Sequence, residues 1–137
     1  MKEYILDASV LVHFLTKDQP TQARAAASLL KAAESGKTCL HLDALVVAEA
    51  LCVLTADYNL PKESVVDALL SVIGNPGIKV EAQETVSIAL SRYRRSEGVD
   101  FFECWLVARG ISLRLPVASF DVELDKFKEI TRYELRA

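Results

Sequence analysis

The sequence is poor in the features that mark several large protein classes. It holds three cysteines in 137 residues, Cys39, Cys52 and Cys104, an odd number with no C-x-x-C spacing. A disulfide framework is not expected; all three fall in apolar stretches and read as buried, reduced thiols. No apolar run approaches the ~18–20 residues that span a bilayer, because a charge or a proline interrupts each one. Lys2 and Glu3 precede a short apolar run that breaks at Asp7. Neither a signal peptide nor a membrane partner is expected, and the compartment expected is the cytoplasm. Surplus basic charge is missing too, since the formal net charge is −3. That argues against holding nucleic acid by overall charge, which runs on Lys and Arg neutralising phosphates. It leaves room for acid concentrated in a site with bases placed locally. There is no G-x-x-x-x-G-K-[ST] and no G-x-G-x-x-G, so a nucleotide cradle has no support. Repeats, low-complexity tracts and Ser/Gly linkers are absent as well, and one domain over 1–137 is expected.

What is present is apolar and regularly spaced. Hydrophobic residues make up 51% of the chain, more than a small soluble domain needs, and a buried sheet and a subunit interface are the natural outlets. EYIL (3–6) reads as a strand, and Val10, Leu11, Phe14 and Leu15 then recur at helical spacing from Ser9 to about Lys17. Pro20 opens a second helix that stops at Gly36. TCLHL (38–42) is a second strand, and Asp43 stands as cap to the long apolar helix ALVVAEALCVLTADY. A helix over KESVVDALLSVIG, a short IKVE strand and the basic-ended helix ETVSIALSRYRRSEG follow. DFFECWLVARGISLR is a helix closed before Pro116, PVASF a strand, VELDKFKE a short helix and ITRYEL a closing edge strand. Short strands alternating with longer helices predict a three-layer α/β/α fold around a short, mostly parallel central sheet. Ligands of such sheets gather outside the carboxyl ends of the strands.

Acids stand at those places. Asp7 follows the first strand and Asp121 follows PVASF. Glu49 lies within VVAEALCVL, where a charge is expensive unless it is paired or binds a cation. Asp100 and Glu103 open one helix three residues apart and face the same side of its first turn. Each of Asp7, Asp100 and Asp121 also suits a plain helix cap, and Asp100 with Glu103 makes a D-x-x-E capping box. Glu49 has no such explanation, and a structural reading of it needs a buried Lys or Arg partner. Clustered carboxylates raise one another's pKa, and a divalent cation removes that cost. Oxygen donors without a His or Cys ligand pattern suit Mg²⁺ or Mn²⁺. Ser9 has no adjacent base, since His13 is four residues on, and both His13 and His41 read as core or strand residues.

YILDASVLVHFL, VVAEALCVL, VDFFECWLVA and VASFD resemble, in order and spacing, the motifs of PIN-domain proteins. The length and compact pattern are similar to the VapC-type ribonuclease toxins of toxin–antitoxin pairs. The resemblance runs from Glu3 to about Phe127. It implies that Asp7, Glu49, Glu103 and Asp121 are catalytic acids, that these four and Asp100 bind metal, and that Ser9 and Ser119 support them. At 103 the family more often has Asp. One more methylene moves the carboxylate by ~1.5 Å, and catalytic geometry suffers from shifts near 1 Å.

The function expected is a Mg²⁺- or Mn²⁺-dependent endoribonuclease, with Arg92, Arg94, Arg95, Arg109 and Arg114 as candidate phosphate contacts. For that basic set a solvated helix end is the competing reading. The resemblance further implies a homodimer and a small antitoxin partner, and the apolar helices 44–54 and 64–73 suggest a self-association surface. A PIN-like module that binds or regulates without turnover is the alternative, and Glu103 is what favours it. A phosphotransfer receiver would need a pair of acids after the first strand and a Lys after the last. A haloacid-dehalogenase-type phosphatase would need D-x-D where this chain has Asp7 and Ser9.

Overall fold

Wherever two strands meet in this protein they run parallel, as short strands joined through helices must. The structure is a computed structural model and describes residues 1–136. The chain divides into two compact units, Met1–Gln83 and a second that begins at Glu84. Among the described residues no helix is long and apolar enough to cross a membrane.

The first unit holds β1 (Lys2–Ile5), α1 (Ala8–Thr16), α2 (Pro20–Glu34), β2 (Thr38–Leu42), α3 (Ala44–Cys52), α4 (Lys62–Ile73) and β3 (Ile78–Val80). The sheet order is β1-β2-β3, with Glu3 opposite Cys39 and His41 opposite Lys79. Alternation along each strand sends Leu40, Leu42 and Ile78 to one face, where they are buried with Leu6. Glu3, Ile5, Cys39, His41 and Lys79 share the other. Burying a leucine this fully stabilises by about 1.5–3 kcal/mol before packing is counted, so these positions fix the register.

α2 starts at Pro20 and ends in a Schellman motif. Gly36 has φ 81°, Lys37 N–H donates to Ala32 O at 2.9 Å and Gly36 N–H to Ala33 O at 3.1 Å. Gly77 is needed for space instead: a Cβ built on it would lie 2.0 Å from the Ala33 carbonyl oxygen. Asn75 secures the same turn, its Nδ2 donating to Leu30 O and its Oδ1 accepting from Gly77 N–H, both at 2.9 Å.

α3 turns Val47, Ala48, Ala50 and Leu51 inward and leaves Leu45, Glu49 and Cys52 on its outer stripe. Its continuation, Val53–Asp57, is a π-helical turn in which Thr55 Oγ1 donates to Leu51 O at 2.8 Å. α4 likewise buries Val65, Val66, Leu69, Val72 and Ile73. The apolar surplus of these two helices goes largely to the core: among the described residues, Leu45 is the large apolar residue of α3 that stays widely exposed.

The second unit holds α5 (Gln83–Arg95) from Glu84 on, α6 (Phe101–Leu113), β4 (Val117–Ala118), a 3-10 helix (Val122–Lys126) and β5 (Arg132–Tyr133). β4 and β5 form a parallel pair of their own. Val107, Leu124 and Phe127 make a core cluster with Val99, Ile111, Val117 and Ile130 packed on it. Phe101 meets Tyr93 edge-on, with ring centres 6.1 Å apart.

Candidate functional site

The acids expected to work together are held by short-range wiring. In the first unit Asp7 caps α1: its Oδ2 accepts the Ser9 backbone N–H at 3.2 Å and the Ser9 hydroxyl at 2.5 Å. The Ser9 hydroxyl, then its N–H, hold the Asp7 carboxyl below the usual carboxylate range, so it stays anionic. Glu49 is exposed, contrary to the buried charge expected from its neighbours in sequence. An α-helix sends adjacent residues 100° apart, so its apolar neighbours point inward while Glu49 points out. Among the described residues it pairs with no Lys or Arg.

In the second unit Asp100 and Glu103 form a complete capping box on α6. Glu103 N–H donates to Asp100 Oδ1 at 2.8 Å, and Asp100 N–H donates to Glu103 Oε2 at 3.2 Å. Asp121 caps the 3-10 helix, accepting Glu123 N–H on Oδ1 at 3.0 Å. Ser119 serves the backbone of this turn, its Oγ accepting Asp121 N–H at 2.9 Å. Arg132, which sequence reasoning passed over, braces the turn from β5. Its guanidinium grips Asp125 through two N–H groups, at 2.9 and 3.1 Å, and donates a third hydrogen bond to Ser119 O at 3.1 Å. Only its place in the ITRYEL strand hinted at it.

The basic candidates separate. Arg92 is not a free surface base: it pairs with Glu129 and its side chain is only 13% exposed. Arg95, Arg109 and Arg114 are exposed, Arg114 as the left-handed cap residue that ends α6.

One further expectation fails on burial, that of Cys52, while His41 lies on β2 as a strand residue. Cys52 is exposed, whereas Cys39 and Cys104 are buried; all three are free thiols. Both histidines carry partners. His13 Nδ1 lies 3.0 Å from Asp18 Oδ1, in a cluster where Asp18 also accepts from Thr16 Oγ1 at 2.8 Å and Tyr58 OH at 2.6 Å. These donors, Tyr58 first, hold the Asp18 carboxyl far below its ordinary value. His41 Nε2 lies 2.8 Å from Glu3 Oε1.

The donor chemistry of the five acids suits a hard cation. Asp7, Asp100 and Asp121 each have one oxygen tied to a nearby backbone N–H and a second not so tied, Glu103 likewise, and Glu49 is unengaged. None of the five is neutralised by a Lys or Arg within ion-pair distance among the described residues. Carboxylates left without a basic partner are what an oxygen-seeking divalent ion requires.

A family model for the PIN domain matches residues 4–130. The chain belongs to the PIN domain family. PIN domains are in general nucleases that use divalent metal ions, and the matched stretch contains Asp7, Glu49, Asp100, Glu103 and Asp121. The mixed α/β fold with short parallel pairing is the one expected of a PIN domain. Among curated proteins none matches the chain. Among solved structures it is similar to the crystal structure of VapBC2 from Rickettsia felis bound to a DNA fragment from their promoter. That likeness has 9% identity and a TM-score of 0.39, and it covers 97% of this chain and 98% of that one.

Proposed function

We propose that this PIN domain is a Mg²⁺- or Mn²⁺-dependent endoribonuclease of the cytoplasm, the toxin of a VapBC-type toxin–antitoxin pair. The observation that carries the reading is the state of its acids: five carboxylates within the matched stretch, in segments that resemble the family's motifs, none neutralised by a Lys or Arg among the described residues. Asp7, Glu49, Glu103 and Asp121 would hold the ion, with Asp100 beside Glu103. When bound, Mg²⁺ or Mn²⁺ supplies an acidified water and neutralises charge on a phosphoryl oxygen. Ser9 keeps Asp7 anionic and fixes its Oδ2, leaving Oδ1 for the cation. Ser119 and Arg132 fix the turn that presents Asp121. Arg95, Arg109 and Arg114 supply phosphate contacts.

The antitoxin of such a pair would silence the enzyme by placing a basic side chain against Glu49 or Asp100, both exposed and without a Lys or Arg partner. A homodimer belongs to the same reading, and sedimentation at micromolar concentration decides it. The test of the activity is direct. With Mn²⁺ the protein cuts a structured RNA, EDTA stops it, and Asp7→Asn lowers the rate by about a hundredfold or more while circular dichroism stays unchanged. Wild-type cleavage by Asp7→Asn refutes the assignment.

One observation favours a slower enzyme. Glu103 folds its carboxylate back to cap its own helix, so part of its reach is already spent.

A further inference from the structure

Among the described residues, the group of three metal-ligating side chains whose donor atoms all lie within 4.8 Å of one another contains none of the expected acids: it is Glu3, Cys39 and His41. His41 Nε2 lies 2.8 Å from Glu3 Oε1 and 3.9 Å from Cys39 Sγ. Backbone register sets this arrangement. Glu3 and Cys39 are partners across the parallel β1–β2 pair, and His41 follows Cys39 by two residues on the same face. A side chain meets its neighbours here because of sheet geometry, with no loop to adjust.

We propose that Glu3, Cys39 and His41 form a second metal site, specific for Zn²⁺ and similar borderline ions and distinct from the oxygen-only acids. In a tetrahedral zinc site the Zn–S bond is about 2.3 Å and Zn–N and Zn–O about 2.0–2.2 Å, which puts ligand atoms roughly 3.3–3.6 Å apart. The observed 2.8 and 3.9 Å straddle that range, and all donor pairs of the set lie within 4.8 Å, so the adjustment required is small. The thiol decides the metal. Sulfur favours Zn²⁺ over Mg²⁺, and three protein donors leave a fourth position for water.

On binding, the Cys39 thiol releases its proton to solvent and His41 presents Nε2 as neutral imidazole, with its proton on Nδ1. The donor set then carries two negative charges against the ion's two positive ones. Lys79, the partner of His41 on β3, shares this face and opposes a cation, but its charge is exposed and screened. Entry is from the side of Glu3, which is exposed, and His41, which is half-exposed, with the buried Cys39 thiol beneath them.

The experiment is a Co²⁺ titration of the full chain, read by absorption and then back-titrated with Zn²⁺. One equivalent of Co²⁺ is expected to give a near-ultraviolet thiolate charge-transfer band that Zn²⁺ abolishes and excess Mg²⁺ leaves intact. Glu3→Gln, an exposed change that spares the core, should weaken Co²⁺ by about tenfold or more. Cys39→Ser should remove the band, and Cys52→Ser, at the exposed cysteine, should keep it. A band that is absent, that survives Cys39→Ser, or that disappears with Cys52→Ser overturns the site. Because RNA cleavage plays no part in the readout, an inactive nuclease leaves the outcome unaffected.

Discussion

Replacing Gly77 by Ala tests how tightly the first unit is assembled. The new methyl would stand 2.0 Å from Ala33 O, 2.4 Å from Ala33 C and 2.7 Å from its Cα. All three are backbone atoms at the C-terminal end of α2, so no side-chain rotation makes room. Either α2 or the turn before β3 must retreat by about 1 Å or more. Retreat strains the Leu40 N–H to Gly77 O bond, 2.8 Å, and the Asn75–Gly77 bond, 2.9 Å. Overpacking of this kind costs about 1–3 kcal/mol, and weakening a hydrogen bond adds about 1 kcal/mol. The expected loss is therefore about 3 kcal/mol, which for a chain of this size lowers Tm by roughly 10 °C. Urea and thermal unfolding followed by circular dichroism measure it. Ala33→Gly placed in the Gly77→Ala background should not restore stability, because the clash is with backbone that glycine also carries. A loss under about 1 kcal/mol, or rescue by Ala33→Gly, refutes the packing argument.

Three shorter tests address the acids. Ser9→Ala removes the main donor that lowers the Asp7 pKa, so the carboxyl protonates at higher pH; the acid limb of the cleavage profile should move upward, and an unmoved limb separates Ser9 from Asp7 function. Arg132→Lys keeps the charge but loses the fork that grips Asp125 and Ser119, and kcat should fall about tenfold with secondary structure intact; an unchanged kcat removes Arg132 from the positioning of Asp121. Glu103→Asp should raise cleavage severalfold by freeing the carboxylate from the capping box, at a cost of about 0.5–1 kcal/mol in helix stability. A fall in cleavage would show that the longer side chain is the one this site uses.

Most of the chain's elements are legible in its residues, and the reasons differ. Strand-forming residue types located β1 and β2, and period-3.6 patterns located the long helices, the helices because burial of one face dominates their spacing. Gly36 marked the end of α2 because only a left-handed residue closes it. The caps Asp7, Asp100 and Asp121 were legible because each is a local contact. Glu49 was misjudged because neighbours along the chain are not neighbours in space; Leu45, Glu49 and Cys52, at helical spacing, form the outward stripe. The same geometry exposes Cys52 and sends the apolar remainder of α3 and α4 to the core. Arg92 and Arg132 depend on partners brought near by tertiary folding, Glu129 above all, which no local pattern announces. The π-helical turn at Val53–Asp57 has no sequence mark except Thr55, whose hydroxyl bonds back to Leu51.

The hydrogen bonds that orient the capped acids span two or three residues: 7 to 9, 100 to 103, 119 to 121 and 121 to 123. Each of these three capped acid groups is thus an autonomous cassette, oriented by its own local bonds whatever the length of chain that separates it from the next. Insertions between cassettes alter where they stand without disturbing how each carboxylate points. Surface segments outside these windows can then change in length and charge without altering the local bonds that aim each carboxylate.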